Sequence, residues 1–234
     1  MNIKRYFPLQ MRKYIAQMRA MDNPLQLFGR YHSGALRAYV HHTVKSNAWK
    51  QISLGIDSEV HRGTLLHCND RRSGKSIVFG ERAMVGQNSF FSAGDAIELG
   101  RDCLVGAGCN FLGAGHIYDD PTVPYARAPV VSYGSIIVEP NVWIGTGVTI
   151  IGSVRVGFGC VVAAGTFLRK TVPPLCLVAG NPARILSTYN WKNQCWQKMP
   201  PDPESHAATV VEHIASLPHA EEFAKRIDCR LNPK

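Results

Sequence analysis

Along residues 138–172 an aliphatic residue returns at every sixth position: Val138, Ile144, Ile150, Val156, Val162 and Leu168. Four residues after each comes a small or β-branched side chain (Val142, Val148, Val154, Cys160, Thr166, Val172), and Gly145, Gly157 or Ala163 follows the aliphatic directly at three of them. A six-residue period matches neither a helix nor a flat strand. It fits short extended rungs that bury the aliphatic and the small residue on one side, with Gly or Ala at the corner so that the backbone bends without a clashing Cβ. Three rungs close one triangular coil, and fixed short periods of this kind mark a β-solenoid.

The same spacing starts earlier. Leu54, Val60 and Leu66 keep it, with Ser58 and Thr64 in the small position. A polar break, NDRRSGKS over 69–76, lacks the preceding glycine of a phosphate-binding P-loop. The period resumes at Phe79, Val85 and Phe91, slips by two residues, and restarts at Leu99, Val105 and Phe111. Cys103, Cys109 and Cys160 all stand in the small position, which makes them core filler rather than nucleophiles. Fifteen rungs predict about five coils. Between Phe111 and Val138 about twenty extra residues interrupt the pattern, and an excursion of that length usually exists for function. It holds His116 with Tyr118, Asp119, Asp120, Tyr125 and Arg127.

The flanks read differently. Phe7, Met11, Tyr14, Ile15 and Met18 share one helical face, predicting an amphipathic helix over 8–21. Asp202-Pro203 opens a second helix with the face Ala207, Val210, Val211, Ile214 and Leu217, stopped by Pro218. The prolines after Val172 lead the chain out of the solenoid. The expected organisation is a basic helical region over 1–50, a β-helix over 51–175 with its loop at 113–136, and a C-terminal extension with helices over 176–234.

Composition narrows the function classes. No apolar run reaches the length of a membrane span and the first residues offer no signal-peptide core, so the expected compartment is the cytoplasm. Seven cysteines without a CxxC pair favour reduced thiols over disulfides or zinc. Of the net charge of +9, most lies in residues 1–50, where nine Lys or Arg face Asp22 alone. Such an arm either caps the open end of the solenoid or rests peripherally on an anionic membrane. No nucleic-acid motif accompanies the charge.

NVWIGTGVTI, VVAAGTFLRKTVPP and AGNPARIL, in that order, resemble the hexapeptide-repeat acyltransferases, particularly the maltose, galactoside, nodulation and surface-polysaccharide O-acetyltransferases. The likeness covers roughly residues 54–186. It implies an all-β solenoid, a left-handed parallel β-helix; a homotrimer; acetyl-CoA as co-substrate in a groove between subunits; and a loop histidine as base. His116 matches that histidine. A sugar hydroxyl is too weakly acidic to attack a thioester unaided, so an imidazole must take its proton as the bond forms.

The resemblance carries further residues. Asn88 stands near the family's acceptor-site asparagine, and a corner asparagine with a left-handed backbone is the plainer reading of the same residue. Trp143 matches a tryptophan lining the active site; Tyr118 and Arg127 belong to the same loop region and are assigned to the acceptor. Thr146 and Ala164 match positions whose backbone meets the pantetheine arm. Arg169, Lys170 and Arg184 match basic positions near the nucleotide phosphates, although the family more often has Thr where Arg169 stands. No metal site is expected.

The leading reading is an acetyl-CoA-dependent O-acetyltransferase acting on a sugar hydroxyl of a bacterial surface polysaccharide or its precursor. An antibiotic or amino-sugar acetyltransferase is the alternative within the class. A trimeric zinc carbonic anhydrase on the same solenoid needs three converging histidines, whereas His61 and His67, six apart, fall after successive corners. A silent scaffold predicts no thiol release at all.

Overall fold

The structure is a computed structural model that describes residues 38–69, 74, 76–219, 221, 222 and 225. The helix expected over 8–21 and most of the polar break lie outside those residues. Every sixth-position aliphatic points inward, and each rung pairs in parallel with the rung one coil away. Three stacked faces result. The first carries Val40, Val60, Val85, Val105, Ile144, Val162 and Val178 inward. The second is six strands running from Lys45–Ser46 to Phe167–Leu168, and the third is five strands from Ile52–Leu54 to Val154–Val156. Phe79, Phe91 and Phe111 fill the axis, with Phe91 and Phe111 stacked at 4.4 Å and Phe79 edge-on to Phe91 at 5.4 Å.

The solenoid is longer than its aliphatic spacing suggests. Among the described residues its first rung is Tyr39–Val40, paired with Glu59–Val60, followed by Lys45–Ser46, so this stretch carries rungs ahead of the 3₁₀ turn Trp49–Gln51 rather than a helical arm. Ser46 and the buried Val44 hid this coil, because a serine at the inward position breaks the aliphatic count. At the other end the prolines after Val172 do not lead the chain away. Cys176–Ala179 adds a rung beside Val161–Val162, and only then does the chain reverse into the antiparallel strands Arg184–Asn190 and Cys195–Lys198.

The corners follow two rules. The residue directly after the aliphatic lies against the next coil: a Cβ on Gly145 would sit 2.5 Å from the Ala164 nitrogen and 2.9 Å from its Cα. Glycine there serves close stacking rather than bending. The bend falls two residues later, where Asp57, Arg82, Asn88, Asp102 and Asn141 take positive φ and Gly63, Gly108, Gly147, Gly159 and Gly165 fill the equivalent slots. These tight turns join the third face to the first and the first to the second. All long insertions leave from the remaining corner, between the second and third faces: Asn69–Ser76, and the loop between Leu112 and Ile136.

Asp202 accepts the Ser205 N–H and starts α1, Pro203–Ser216. The face expected for this helix is rotated. Val211 and Ile214 are 67% and 49% exposed, while His206, Val210, His213 and Leu217 turn inward. The reason is polar. The end of the solenoid presents the carbonyls of Ile185 and Pro174, and His206 Nε2 (3.0 Å) and His213 Nε2 (2.8 Å) donate to them. His213→Ala leaves the Pro174 carbonyl with only the weak Cys176 thiol donor at 3.6 Å, so urea denaturation is expected to show a loss of about 1–3 kcal/mol.

Cys103, Cys109 and Cys160 are buried core residues. Burial pushes the Cys103 thiol up to about 11, which keeps it protonated and unreactive. Among the described residues no helix is long and apolar enough to cross a membrane.

Candidate active site

The loop leaving the fourth coil is a β-hairpin. Ala114–His116 pairs antiparallel with Val130–Ser132, with Gly115 opposite Val131 and His116 opposite Val130. Its base is tied to the solenoid by the Tyr133 N–H donating to the Gly113 carbonyl at 2.7 Å. Gly115 is small because the Tyr133 ring occupies the space a side chain would need. His116 therefore projects from the tip of a short, braced strand.

The His116 side chain is exposed, and its Nδ1 lies 2.7 Å from the buried Ala128 carbonyl. A carbonyl only accepts, so Nδ1 carries the proton and donates it. Nε2 is left with its lone pair free for a substrate. The acids of the loop have a different task. Asp120 accepts from the Thr122 N–H and hydroxyl, which holds its carboxyl below the usual range and closes the turn. Tyr118 (73% exposed) and Arg127 lie on the outer part of the same loop, Arg127 in the short 3₁₀ turn Tyr125–Arg127.

The remaining candidates stand along another edge. Asn88, Thr146 and Ala164 belong to turns between the first and second faces, with the turn at 106–108 between those of Asn88 and Thr146, and Trp143 is half exposed on the first face beside them. Asn88 has φ 57°, the slot that Gly108, Gly147 and Gly165 fill in the coils beyond it, so the turn alone accounts for a residue that tolerates this conformation. Arg184 starts the first antiparallel strand near this edge, whereas Arg169 and Lys170 follow Leu168 at the same corner as the His116 hairpin; all three are exposed.

Within one protomer these groups do not meet. His116 leaves the corner after the second face, and Thr146 and Ala164 precede that face. One side of the coil, roughly 20 Å of extended chain, separates them. A site using both needs the hairpin edge of one protomer against the turn edge of another.

Two features escape a reading based on motifs. Ala107 occupies the same turn position as Thr146 and Ala164, one coil lower. Residues 140–201 contain no Asp or Glu, yet hold Arg155, Arg169, Lys170, Arg184, Lys192 and Lys198. A count of acids along the chain would have exposed this positive end. Among the described residues no group of three or more His, Cys, Asp or Glu is placed to hold a metal ion. His61 faces Glu59 at 3.3 Å, and His67 lies on the second face.

A parallel three-sided solenoid interrupted by one histidine-bearing loop defines a class, the hexapeptide-repeat β-helix proteins. A family model described as the hexapeptide repeat of succinyl-transferase matches residues 77–110 and 135–170. WbbJ of Escherichia coli K12, named as a lipopolysaccharide biosynthesis O-acetyl transferase, is 25% identical over 129 residues, covering 52% of this chain and 65% of that protein. Rv3034c of Mycobacterium tuberculosis, named as an acetyltransferase, is 23% identical over 162 residues, covering 63% and 54%. The chain thus spans between half and two thirds of the length of these relatives. The solved N-acyltransferase AntD of Bacillus cereus, in complex with dTDP and coenzyme A, superposes with a TM-score of 0.56 at 19% identity, covering 67% of this chain and 83% of that one. That likeness concerns the fold. The chain thus carries the hexapeptide repeat of that family model over residues 77–110 and 135–170 and is similar to these acetyltransferases.

Proposed function

We propose that the protein transfers an acetyl group from acetyl-CoA to a hydroxyl of a sugar, in a bacterial surface polysaccharide or its precursor, with His116 as general base. The observation that carries this reading is the Nδ1 hydrogen bond to Ala128, which leaves Nε2 available. WbbJ's name supports the glycan acceptor. The sugar oxygen attacks the thioester carbon while His116 Nε2 takes its proton; the C–S bond then breaks and the imidazolium returns the proton to the leaving thiolate. No acyl-enzyme intervenes.

Acetyl-CoA lies along the turn edge in this reading. The Thr146 and Ala164 amides have no acceptor among the described residues and suit the pantetheine carbonyls. Lys170, Arg184 and Arg169 serve the nucleotide phosphates, favoured by the acid-free field around them. Because the hairpin edge and the turn edge lie a full side apart, the working unit is a homotrimer with sites between subunits. Tyr118, Arg127, Trp143 and Asn88 face the acceptor there. The reaction takes place in the cytoplasm, where the donor is made.

The test is thiol release from acetyl-CoA by the full-length protein with a panel of mono- and oligosaccharides, products read by mass spectrometry. Acceptor-dependent release with an O-acetylated product is expected; release only with amines would move the chemistry to nitrogen, and no release with any acceptor would sink it. Lys170→Ala and Arg184→Ala should each raise KM for acetyl-CoA about tenfold, the worth of one charge-assisted contact. The acceptor KM should hardly change. Unaltered cofactor affinity in both variants would remove them from the site.

A further inference from the structure

The turn edge changes character at the level of the histidine hairpin. At that level and above it, the turns at 106–108, 145–147 and 163–165 carry nothing larger than the Thr146 side chain. The two coils below fill the same slots with side chains: His61 and Arg62 before Gly63, then Gln87 and Asn88 after Gly86. A bare edge suits a ligand met by backbone groups. An edge of polar side chains suits one that is read by its own functional groups.

Two of these side chains are joined. Arg62 Nε donates to Gln87 Oε1 at 2.7 Å, across the boundary between their coils. A guanidinium only donates, so the amide oxygen of Gln87 faces it and the Gln87 NH₂ points away. The head of Arg62 is thereby held at the level of Gln87, about 5 Å below the coil whose strand Asn110–Leu112 leads into the hairpin. Asn88 comes down to meet it, since its amide lies in the space that a side chain on Gly63 would fill. The terminal amino groups of Arg62, the Gln87 NH₂ and the Asn88 amide have no partner among the described residues.

No anion of the chain answers this guanidinium among the described residues. Arg82 is paired with Asp102 and Glu81, and Arg155 with Glu139, but Arg62 has no carboxylate. Residues 40–47, 60–68 and 83–94, which form the edge and second face of these coils, contain no Asp or Glu. The nearest acid in sequence, Glu59, is turned to His61 at 3.3 Å. A guanidinium anchored at Nε with its outer edge free is set for two parallel hydrogen bonds to a carboxylate. One cation between two neutral amides suits a monoanion rather than a diphosphate.

We infer that the acceptor is an acidic oligosaccharide, and that the carboxylate of the sugar residue next to the acetylated one is bound by Arg62, with Gln87 aiming the guanidinium. The inference rests on the acetyl-transfer reading above. In a trimer whose axis runs along the solenoid, equal coils lie side by side, so a neighbour's His116 stands at the level of Ala107. A hydroxyl placed there leaves the rest of the glycan to run down the edge past Asn88, and the step from that level to the Arg62 head is comparable to one sugar residue.

Thiol release by the full-length protein is the measurement, with short oligosaccharides of hexuronic and of sialic acids as probes. Each is set beside its carboxyl-reduced neutral counterpart and beside nucleotide diphosphate sugars. The wild type is expected to favour the acid over its neutral counterpart by at least about tenfold in kcat/KM, mostly through KM. Arg62→Gln should bring the acid down to the level of its neutral counterpart. Gln87→Glu keeps the guanidinium and the shape of its partner but supplies a carboxylate from within the chain, so the same loss of discrimination is expected there. A merely structural role for either residue would change the acid and neutral forms alike and leave their ratio intact. Equal turnover of acid and neutral forms by the wild type, with an O-acetylated product, overturns the inference and leaves the functional reading standing. So does a preference that survives Arg62→Gln, or one confined to the diphosphate sugars. Absence of thiol release with every acceptor overturns both.

Discussion

Replacing His116 by alanine is expected to lower acetyl transfer by at least ~100-fold, the usual worth of a positioned general base, while fold and assembly stay as they are. The side chain is exposed and its hydrogen bond runs to the carbonyl of Ala128, a buried residue of the loop outside the solenoid core. Little stability depends on it. The loss should fall on kcat, because an uncharged sugar hydroxyl binds without a base but does not attack without one. His116→Asn retains a donor toward Ala128 and lacks the basic nitrogen, so it should be as inactive as alanine. Steady-state thiol release with both variants decides the matter: turnover near that of the wild type in either would remove the histidine from the mechanism, and intermediate activity in asparagine alone would assign the Ala128 contact a role beyond orientation.

The largest effect on stability is expected at Phe91→Ala, about 3–5 kcal/mol in urea denaturation. Phe91 is fully buried and touches an aromatic on each side along the axis, stacked on Phe111 and edge-on to Phe79. Truncation leaves a cavity that the coils cannot close, since each is held by parallel hydrogen bonds to the coils above and below it. A globular core relaxes around a hole; a stack of rigid triangles does so poorly. Total stabilities of single domains run to about 5–15 kcal/mol, so the variant should sit near its unfolding transition at growth temperature. A shift in midpoint below about 1 kcal/mol would mean that the aromatic column is not the structural axis of the solenoid.

How much of this could be read from the chain depends on the kind of interaction. The six-residue return of aliphatic side chains determined the rungs, the triangular coil and the place of the long loop, because burying one side chain per rung is a local demand that each hexapeptide must meet. His116 was legible for the same reason: an excursion from a strict period announces itself, and only one such excursion carries a histidine between glycine and acids. Periodicity failed where a rung meets its demand without an aliphatic, as at Ser46, and where prolines occupy corner slots that look like an exit, as at Pro173 and Pro174. It also failed for α1, whose orientation is decided by two carbonyls at the end of the coil that call for the donors of His206 and His213.

Asn88 shows the boundary most plainly. Its side chain suggests an acceptor contact, and its backbone supplies a reason of its own, a left-handed turn whose slot Gly63, Gly108, Gly147 and Gly165 fill in neighbouring coils. The sequence by itself determined which side chains are buried, where the loop departs and that a histidine sits on it, since these follow from local burial and spacing. Only the tertiary structure decided which nitrogen of His116 is free, that Ala107, Thr146 and Ala164 stand in one column of open amides, and that this column and the hairpin lie on different edges. Those facts depend on stacking residues roughly 18 to 40 positions apart, where a hydrogen bond made by one coil determines what the next can offer.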